Sequence, residues 1–378
     1  MELYIHLPFC RSKCRYCDFP SYAGCEAHFT AYVDALLQEA ALEQPATVET
    51  VFIGGGTPSI LPAPLMTKLL HGLRARFDIA PEAEFTSEAN PGTLTPAWLA
   101  AAVDGGVNRL SLGMQAYQPR LLRMLGRIHN FAQVEQSVAL ARSAGIRNIN
   151  LDLMFGLPGQ THADWLESLD AALSLSPTHL SCYGLIPEEG TPLTADLDAG
   201  RLVLPDEAEE RVMYDDTLRI LAAHGYEQYE ISNFAKPGCA CRHNLGYWRQ
   251  IPYLGLGASA SSMLPDATDK AAYLRRTNPA GLTDYLAMMQ EGDFARRELL
   301  PISREEAMFE TMMLGLRTTS GVSEEEFLAM HGQSLEQSYG ATLEQLRLQE
   351  LMAHANGRWY LTRRGMDVQN AVLIELMP

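Results

Sequence analysis

Three cysteines lie close together near the start of the chain. Cys10, Cys14 and Cys17 have three and then two residues between them. This spacing is too irregular for one helix face, yet three thiolates on one short loop can surround a corner of an iron–sulfur cluster. One iron of a four-iron cluster would then have no cysteine and could bind a small molecule, as an open position on a catalytic zinc ion does.

From the residues alone, two simpler interpretations of these cysteines stay open. A structural zinc site would need a fourth ligand, and Cys25 and His28 are near enough in sequence to supply one. The three cysteines could equally be unrelated buried thiols that bind no metal. His6 is a weaker ligand candidate, because a single histidine in a strand-like apolar run is more often a hydrogen-bonded core residue.

The cysteine loop lies between the run Tyr-Ile-His-Leu-Pro-Phe at 4–9 and Asp18-Phe19. In this form it resembles the signature of radical S-adenosylmethionine (SAM) proteins, and in detail that of the HemN/HemW family. The resemblance covers essentially the whole chain. It implies that the three cysteines hold a [4Fe–4S] cluster whose free iron chelates the amino and carboxylate groups of SAM. In the family, the reduced cluster cleaves SAM to a 5′-deoxyadenosyl radical.

Further segments match positions that contact SAM in this family. The resemblance implies a SAM site that contains Tyr4, Tyr16, Gly55, Gly56, Thr57, Glu88, Gln115, Arg127 and Asp152. Glycines lack a β-carbon and let a ligand approach the backbone, although a tight turn without a ligand needs them as well. Asp152 interrupts an apolar strand, where a carboxylate is costly unless it is paired or faces a pocket. An isolated arginine such as Arg127 would more often be a solvated surface charge.

Short β-rich runs alternate with amphipathic stretches through the first half of the chain, which is typical of a parallel sheet with crossover helices. Strands are predicted at residues 3–7, 50–53, 84–88, 109–113, 148–154 and 179–185, and helices at 29–42, 63–77, 132–144, 162–175 and 206–224. Periodicity leaves a full barrel or a doubly wound sheet open. The resemblance implies an α/β fold with a partial (β/α)6 TIM-like radical SAM barrel over residues 1–225. In such barrels the chemistry lies where the strands end.

The remaining chain is predicted to form a barrel extension at 226–295 and a small C-terminal domain at 296–378. The extension contains a predicted strand at 229–234. In the C-terminal part, helices are predicted at 303–317, 324–331, 335–353 and 363–376, with a short strand at 358–361. Helices followed by a β wing indicate a mostly helical, winged-helix-like module, and the family carries a C-terminal domain at this place.

The extension carries His243-Asn244-Leu-Gly-Tyr247-Trp248, which resembles the HNxxYW motif of HemW-type proteins. We expect His243 to be an iron ligand of bound haem or the residue that positions it. Imidazole is a common axial ligand, and the two aromatic side chains offer a flat apolar surface. From the residues alone, a histidine that hydrogen-bonds the backbone is the favoured interpretation. Cys241 is an alternative thiolate ligand, and Cys239 is a poorer one.

Composition restricts the class of protein. The 29 basic and 46 acidic residues give a net charge of −17, which argues against a nucleic-acid partner and favours a lid or docking role for the winged-helix-like module. No signal-peptide pattern precedes the first strand, and no apolar run approaches the roughly 18 residues of a membrane span. We therefore expect a cytoplasmic protein. The seven cysteines, an odd number, favour reduced thiols or metal binding over a disulfide framework.

The resemblance implies a haem chaperone that binds the cluster, SAM and haem and delivers haem to respiratory haem proteins, with an electron donor for the cluster. The alternatives are an oxygen-independent coproporphyrinogen III dehydrogenase, which decarboxylates propionates oxidatively, and another radical SAM enzyme that modifies tetrapyrroles. Dehydrogenases of this family have a further cysteine where this chain has Phe19, and an N-terminal extension before the first strand. We therefore expect no coproporphyrinogen III dehydrogenase activity.

Overall fold

The computed structural model describes residues 1–266 and 272–377. These residues form seventeen strands: β1 (Glu2–Leu7), β2 (Phe9–Cys10), β3 (Tyr22–Ala23), β4 (Thr47–Gly55), β5 (Asp78–Ala89), β6 (Arg109–Gln115), β7 (Asn148–Phe155), β8 (His179–Gly184), β9 (Glu227–Gln228), β10 (Asn233–Ala235), β11 (Tyr253–Leu256), β12 (Ser261–Pro265), β13 (Tyr273–Thr277), β14 (Glu298–Ile302), β15 (Val322–Ser323), β16 (Met352–Ala355) and β17 (Arg358–Leu361). The same residues form fifteen α-helices: α1 (Phe29–Leu42), α2 (Ala63–Arg76), α3 (Pro96–Asp104), α4 (Pro119–Met124), α5 (Phe131–Ser143), α6 (His162–Ser174), α7 (Pro192–Asp198), α8 (Glu207–Ala223), α9 (Arg242–Trp248), α10 (Leu282–Glu291), α11 (Arg304–Gly315), α12 (Glu324–His331), α13 (Leu335–Leu348), α14 (Arg363–Asp367) and α15 (Gln369–Glu375).

Twelve strands form one large sheet in the order β14-β13-β12-β11-β1-β4-β5-β6-β7-β8-β10-β9. The seven neighbours from β11 to β8 run parallel, and antiparallel strands extend the sheet on both sides. Since β14 and β9 are the two ends of this sheet, the barrel is open. The structure therefore confirms the predicted α/β fold with a partial barrel.

Side chains alternate between the two faces of each parallel strand, as the period of two requires. In β6, Leu110 and Leu112 belong to the main hydrophobic core, which is packed between the sheet and its helices. Ser111, between them, hydrogen-bonds Asp152 inside the barrel. The inner face is thus polar, unlike the packed apolar interior of a complete TIM barrel, and the candidate functional site lies in this polar interior.

Sequence periodicity located the six predicted barrel strands, which correspond to β1, β4, β5, β6, β7 and β8. It missed the seventh parallel strand, β11, which is only four residues long and pairs with β1 through tertiary contacts. The predicted strand at 229–234 was also wrong in its bounds. Only β10 (Asn233–Ala235) is a strand there, because the Glu230 carboxylate accepts the Ser232 N–H and bends the preceding chain.

The C-terminal helices α11, α12 and α13 pack with the three-stranded sheet β15-β17-β16 around a second hydrophobic cluster, as a winged-helix-like module would. The predicted helix at 335–353 was too long. It ends at Leu348, and after Glu350 turns the chain with φ +60° the next residues form β16. The predicted last helix divides at Val368 into α14 and α15.

The domain boundaries stay a proposal. β14, just beyond the proposed boundary at residue 296, still pairs with β13 of the large sheet. Among the described residues, no helix has the length and hydropathy that a membrane span requires.

Candidate functional site

The three cysteines lie at the carboxyl end of the barrel. Cys10 ends β2 directly after β1, and Cys14 and Cys17 follow on the next loop. Main-chain hydrogen bonds fix this loop, since the Arg15 N–H donates to the Leu125 carbonyl at 3.0 Å and the Cys17 N–H to the Cys14 carbonyl at 3.4 Å. The Arg15 guanidinium forms an ion pair with Asp196, so the loop is also attached to α7.

A cavity of about 380 Å³ opens beside this loop, within the usual size range of sites for small ligands. It is lined by all three cysteines and by eight of the nine positions expected to contact SAM: Tyr16, Gly55, Gly56, Thr57, Glu88, Gln115, Arg127 and Asp152. Folding thus brings together residues that are far apart in sequence, because the parallel strands all end at this edge. Their roles as ligands stay proposals.

Hydrogen-bond donors surround two of the cysteine sulfurs. Thr57 Oγ1 donates to Cys10 Sγ at 3.6 Å, and Arg127 Nη1 donates to Cys14 Sγ at 3.4 Å. Burial raises the pKa of the Cys10 and Cys17 thiols in the absence of metal. A cluster binds thiolates, so these donors suit sulfur atoms that carry negative charge in the loaded protein.

The glycine turn after β4 packs closely against its neighbours. Gly55 has φ +99°, and a β-carbon there would lie 2.4 Å from His6 Cε1. At Gly56 a β-carbon would lie 2.6 Å from the Phe9 carbonyl oxygen. The Gly55 N–H donates to Glu88 Oε2 at 3.1 Å. Both glycines are therefore needed for the turn itself, whatever ligand the cavity binds.

Two carboxyl groups give the cavity its electrostatic character. Burial, together with the nearby Asp152 charge, raises the pKa of Glu88 to about 8. Burial also raises the pKa of Asp152. Hydrogen bonds from Asn150 and Ser111 favour its charged form, but their effect on the pKa is smaller than that of burial. A cationic ligand would offset these effects. SAM carries a sulfonium and an ammonium group, so the residues present fit this cofactor.

Arg127 and Gln115 are held in place from several directions. Arg127 Nη2 donates to Asn90 Oδ1 at 2.6 Å and to the Gly113 carbonyl at 2.8 Å. Gln115 has φ +64°, an uncommon conformation for a residue other than glycine, and its side-chain oxygen accepts from Tyr183 Oη at 3.1 Å. Strained backbone of this kind concentrates at functional sites.

Asn90 was missed as a site residue by the sequence analysis. Its amide nitrogen donates to Thr57 Oγ1 at 2.7 Å, and its oxygen accepts from Arg127. It therefore connects the two residues that donate to cysteine sulfurs. Its position after β5, in the same Ser-Glu-Ala-Asn-Pro segment as Glu88, was the available signal.

Tyr4 lies away from the other expected SAM residues. Its hydroxyl is 3.0 Å from His6 Nδ1, its ring stacks on Phe52, and it lines a second cavity near the amino end of the barrel. A contact between Tyr4 and SAM stays a prediction.

Helix α9, which carries the HNxxYW segment, packs at the amino end of the barrel. Glu2, Thr50 and Glu84 form one layer there, since their strands pair in register. The Arg242 and His243 N–H groups donate to Glu84 at 3.0 and 3.1 Å. At Gly246, a β-carbon would lie 1.6 Å from Glu2 Oε1. The helix can approach the strands this closely only because glycine occupies that position.

His243 is buried, with 1% of its surface exposed. Nδ1 is 2.8 Å from Thr50 Oγ1, Nε2 is 2.9 Å from Tyr247 Oη, and the ring stacks on Phe52. Burial lowers the pKa of His243 to about 3. To bind iron, this side chain would have to break one of its hydrogen bonds, whereas a role in positioning Tyr247 requires no change. Cys241 is also buried, beside Glu84.

Comparison with known proteins places the chain in a family. The model of the radical SAM superfamily matches residues 4–172, and that of the HemN C-terminal domain matches residues 302–368. A Bacillus subtilis protein described as heme chaperone HemW is 39% identical over 98% of this chain and 97% of its own length. This chain belongs to the HemW family of radical SAM proteins. Membership of the radical SAM family implies a [4Fe–4S] cluster and SAM, in preference to a single zinc ion.

Other HemW relatives match equally fully. The heme chaperone HemW of Escherichia coli is 36% identical over 99% of this chain and 97% of its own length. Among solved structures, coproporphyrinogen III oxidase (HemN) from E. coli superposes with a TM-score of 0.83 at 21% identity, covering 99% of this chain and 89% of its own. HemW-family and HemN proteins thus share a fold, and this likeness says nothing about shared activity.

Proposed function

We propose that this HemW-family chain is a haem chaperone that binds a [4Fe–4S] cluster and SAM, binds haem, and passes haem to respiratory haem proteins. The near full-length match to proteins described as heme chaperones carries this proposal. An electron donor for the cluster belongs to the same proposal.

At the carboxyl end of the barrel, Cys10, Cys14 and Cys17 would hold the cluster. When bound, the cluster would supply an electron and an open iron position for SAM. Thr57 and Arg127 donate hydrogen bonds that stabilise thiolate sulfur. Glu88 and Asp152 provide carboxyl groups whose charged form a cationic ligand in the cavity would favour. The remaining expected SAM residues that line this cavity would orient the cofactor against these groups.

The second cavity suits the flat surface of haem. It measures about 510 Å³, and Tyr247, Trp248 and Tyr253 line it together with methionine and leucine side chains. Its polar lining residues are Gln250, Ser261 and the ion pair of Arg275 with Glu310. Trp248 Nε1 is a buried donor that has no hydrogen-bond partner among the described residues, so it can donate to an acceptor on a ligand. His243 would act here as a positioning residue, because its Nε2 holds the Tyr247 hydroxyl.

Coproporphyrinogen III dehydrogenation is the alternative, and the HemN fold alone does not favour it. Phe19, at the position where the related dehydrogenases have a further cysteine, lines the first cavity and is 62% exposed. An exposed phenylalanine offers neither a thiolate nor a proton there.

Anaerobic reconstitution of the cluster followed by two parallel assays tests the proposal. Haem is titrated while the Soret band is followed, and coproporphyrinogen III is incubated with the protein, SAM and a low-potential reductant. We expect saturable haem binding and no protoporphyrinogen IX. Absence of haem binding, or clear decarboxylation, would reject the chaperone assignment in favour of an enzyme.

A further inference from the structure

The expected haem ligand His243 has both ring nitrogens in hydrogen bonds, and so have His6 and His179. His71 and His162 contact surface carboxylates, and His354 stacks on Trp359 beside Glu324. His129 contacts the Met114 carbonyl and lines a cavity of only about 20 Å³, and His224 contacts the Ile220 carbonyl at the surface. None of these rings is presented to an apolar cavity large enough for part of a macrocycle, in the part of the chain that the structure describes.

His331 is different. It ends α12 and lines a third cavity, of about 360 Å³, together with the apolar side chains Met263, Leu264, Tyr273, Met308 and Met330. Its Nε2 is 2.8 Å from Thr311 Oγ1, and its ring packs against Phe327. Within residues 1–266 and 272–377, its Nδ1 has no hydrogen-bond partner. Thr311 thus orients the ring through one nitrogen, and the other nitrogen has no partner among these residues.

Two methionine side chains, Met308 and Met330, line the third cavity beside the His331 ring. Met330 Sδ is 3.8 Å from the same Thr311 hydroxyl that contacts His331, and Met308 lies on the cavity wall. Imidazole and thioether are the side chains that most often bind haem iron in electron-transfer proteins, and a hydrogen bond to the second ring nitrogen commonly orients a ligating histidine. The donor set therefore matches haem iron better than a hard cation such as Mg²⁺.

We propose that His331 is an axial ligand to the iron of haem bound in the cavity formed by β12, β13, α11 and α12. This inference rests on the proposed haem-binding function and names its site. The third cavity shares Gln250 and Met263 with the cavity lined by Tyr247 and Trp248. The proposed iron site at His331 and the cavity lined by the HNxxYW aromatics are therefore neighbours.

The exposure of this site also suits haem. Met330 is 48% exposed, so one side of the site faces solvent. A chaperone must release its haem, and a ligand bound at an open cavity leaves more readily than one in a closed core.

Haem titration of the full-length protein tests this assignment. His331→Gln keeps a polar side chain of similar length that can still contact Thr311, and His224→Ala removes an exposed histidine at the end of α8 as the matched control. We expect His331→Gln to weaken haem binding by about tenfold or more and to change the Soret band. The control should bind like wild type. Free imidazole should restore the wild-type spectrum in His331→Gly.

The outcomes separate the two proposals. If wild type binds no haem, both the chaperone function and this site are rejected. If wild type binds haem and His331→Gln binds with the same affinity and spectrum, this site alone is rejected. Magnetic circular dichroism of the wild-type complex provides a test without variants, since a spectrum with no imidazole ligand would also overturn the assignment.

Discussion

The two ends of the barrel use similar residue types in opposite ways. At the carboxyl end, Glu88 and Asp152 line an open cavity, and burial raises the pKa of both side chains. At the amino end, Glu84 accepts the N–H groups of α9, and His243 has both nitrogens in hydrogen bonds. At the amino end a buried carboxylate and the backbone of α9 satisfy each other, whereas at the carboxyl end the carboxyl groups border open space that a ligand can fill.

The topology explains this difference. Parallel strands place the loops that follow them at one edge, where the cysteine loop leaves space beside it. The opposite edge is covered by α9, which packs so closely that only glycine fits at position 246. Residue types that often bind ligands, such as histidine and glutamate, therefore pack the amino end of the same barrel whose carboxyl end contains the candidate cofactor site.

Replacing cysteines at each end gives the largest expected difference. The triple variant Cys10→Ala, Cys14→Ala and Cys17→Ala should lose essentially all iron and sulfide after anaerobic reconstitution, because the chain then offers no thiolates at the cavity. The double variant Cys239→Ala and Cys241→Ala should retain both. A full cluster in the triple variant, or zinc in wild type, would contradict the assignment of a [4Fe–4S] cluster to the cysteines at the carboxyl end.

Removing the His243 ring should mainly affect stability. His243→Ala loses two hydrogen bonds and an aromatic stack in a buried position, so we expect the free energy of unfolding to fall by about 2–4 kcal/mol. Iron content of the folded variant should match wild type. Thermal unfolding and iron analysis check both expectations, and wild-type stability would show that α9 does not depend on this network.

Two glutamates on one face of β5 provide a matched pair. Glu88→Gln, at the cavity, should weaken SAM binding to the reconstituted protein by about tenfold, which is about 1.4 kcal/mol. Glu84→Gln, under α9, should change SAM affinity little and lower stability instead. Equilibrium dialysis with labelled SAM measures the first effect. Equal losses of SAM affinity in both variants would remove the distinction between the two ends.

The smallest expected effect is a pH dependence at Glu2. Burial raises the pKa of Glu2 to about 8 in the folded chain, from 4.5 when exposed. The folded state therefore holds this proton more tightly, and stability falls as pH rises from about 5 to 8. Glu2→Gln should remove this loss and be more stable than wild type at pH 8 by about 1 kcal/mol or more. A stability difference that is the same at pH 5 and pH 8 would contradict it.

Much of the barrel could be predicted from sequence because its elements are long and strongly periodic. The predicted helix at 29–42 coincides with α1, and β7 includes the predicted strand at 148–154. The proximity of Glu88 and Asp152 to the cysteine loop could be predicted because parallel strands end at one edge of a sheet, and because the family resemblance implies a shared site.

Features set by tertiary contacts could not be predicted in the same way. Strand β11 is too short for a periodic signal and exists through its pairing with β1. The hydrogen bonds that occupy His243 come from Thr50, almost two hundred positions earlier in the chain, and from Tyr247. No local pattern shows whether the fold will provide hydrogen-bond partners for both nitrogens of a histidine, as it does for His243, or for only one among the described residues, as for His331.

Electron–nuclear double resonance on the reduced, reconstituted protein with SAM that carries ¹⁵N in its amino group tests the central claim most directly. If the cavity at the carboxyl end holds the cluster and SAM together, the spectrum should show hyperfine coupling to the labelled nitrogen, and Glu84→Gln should preserve it. A reconstituted cluster with no such coupling would contradict the assignment of this cavity as the SAM site.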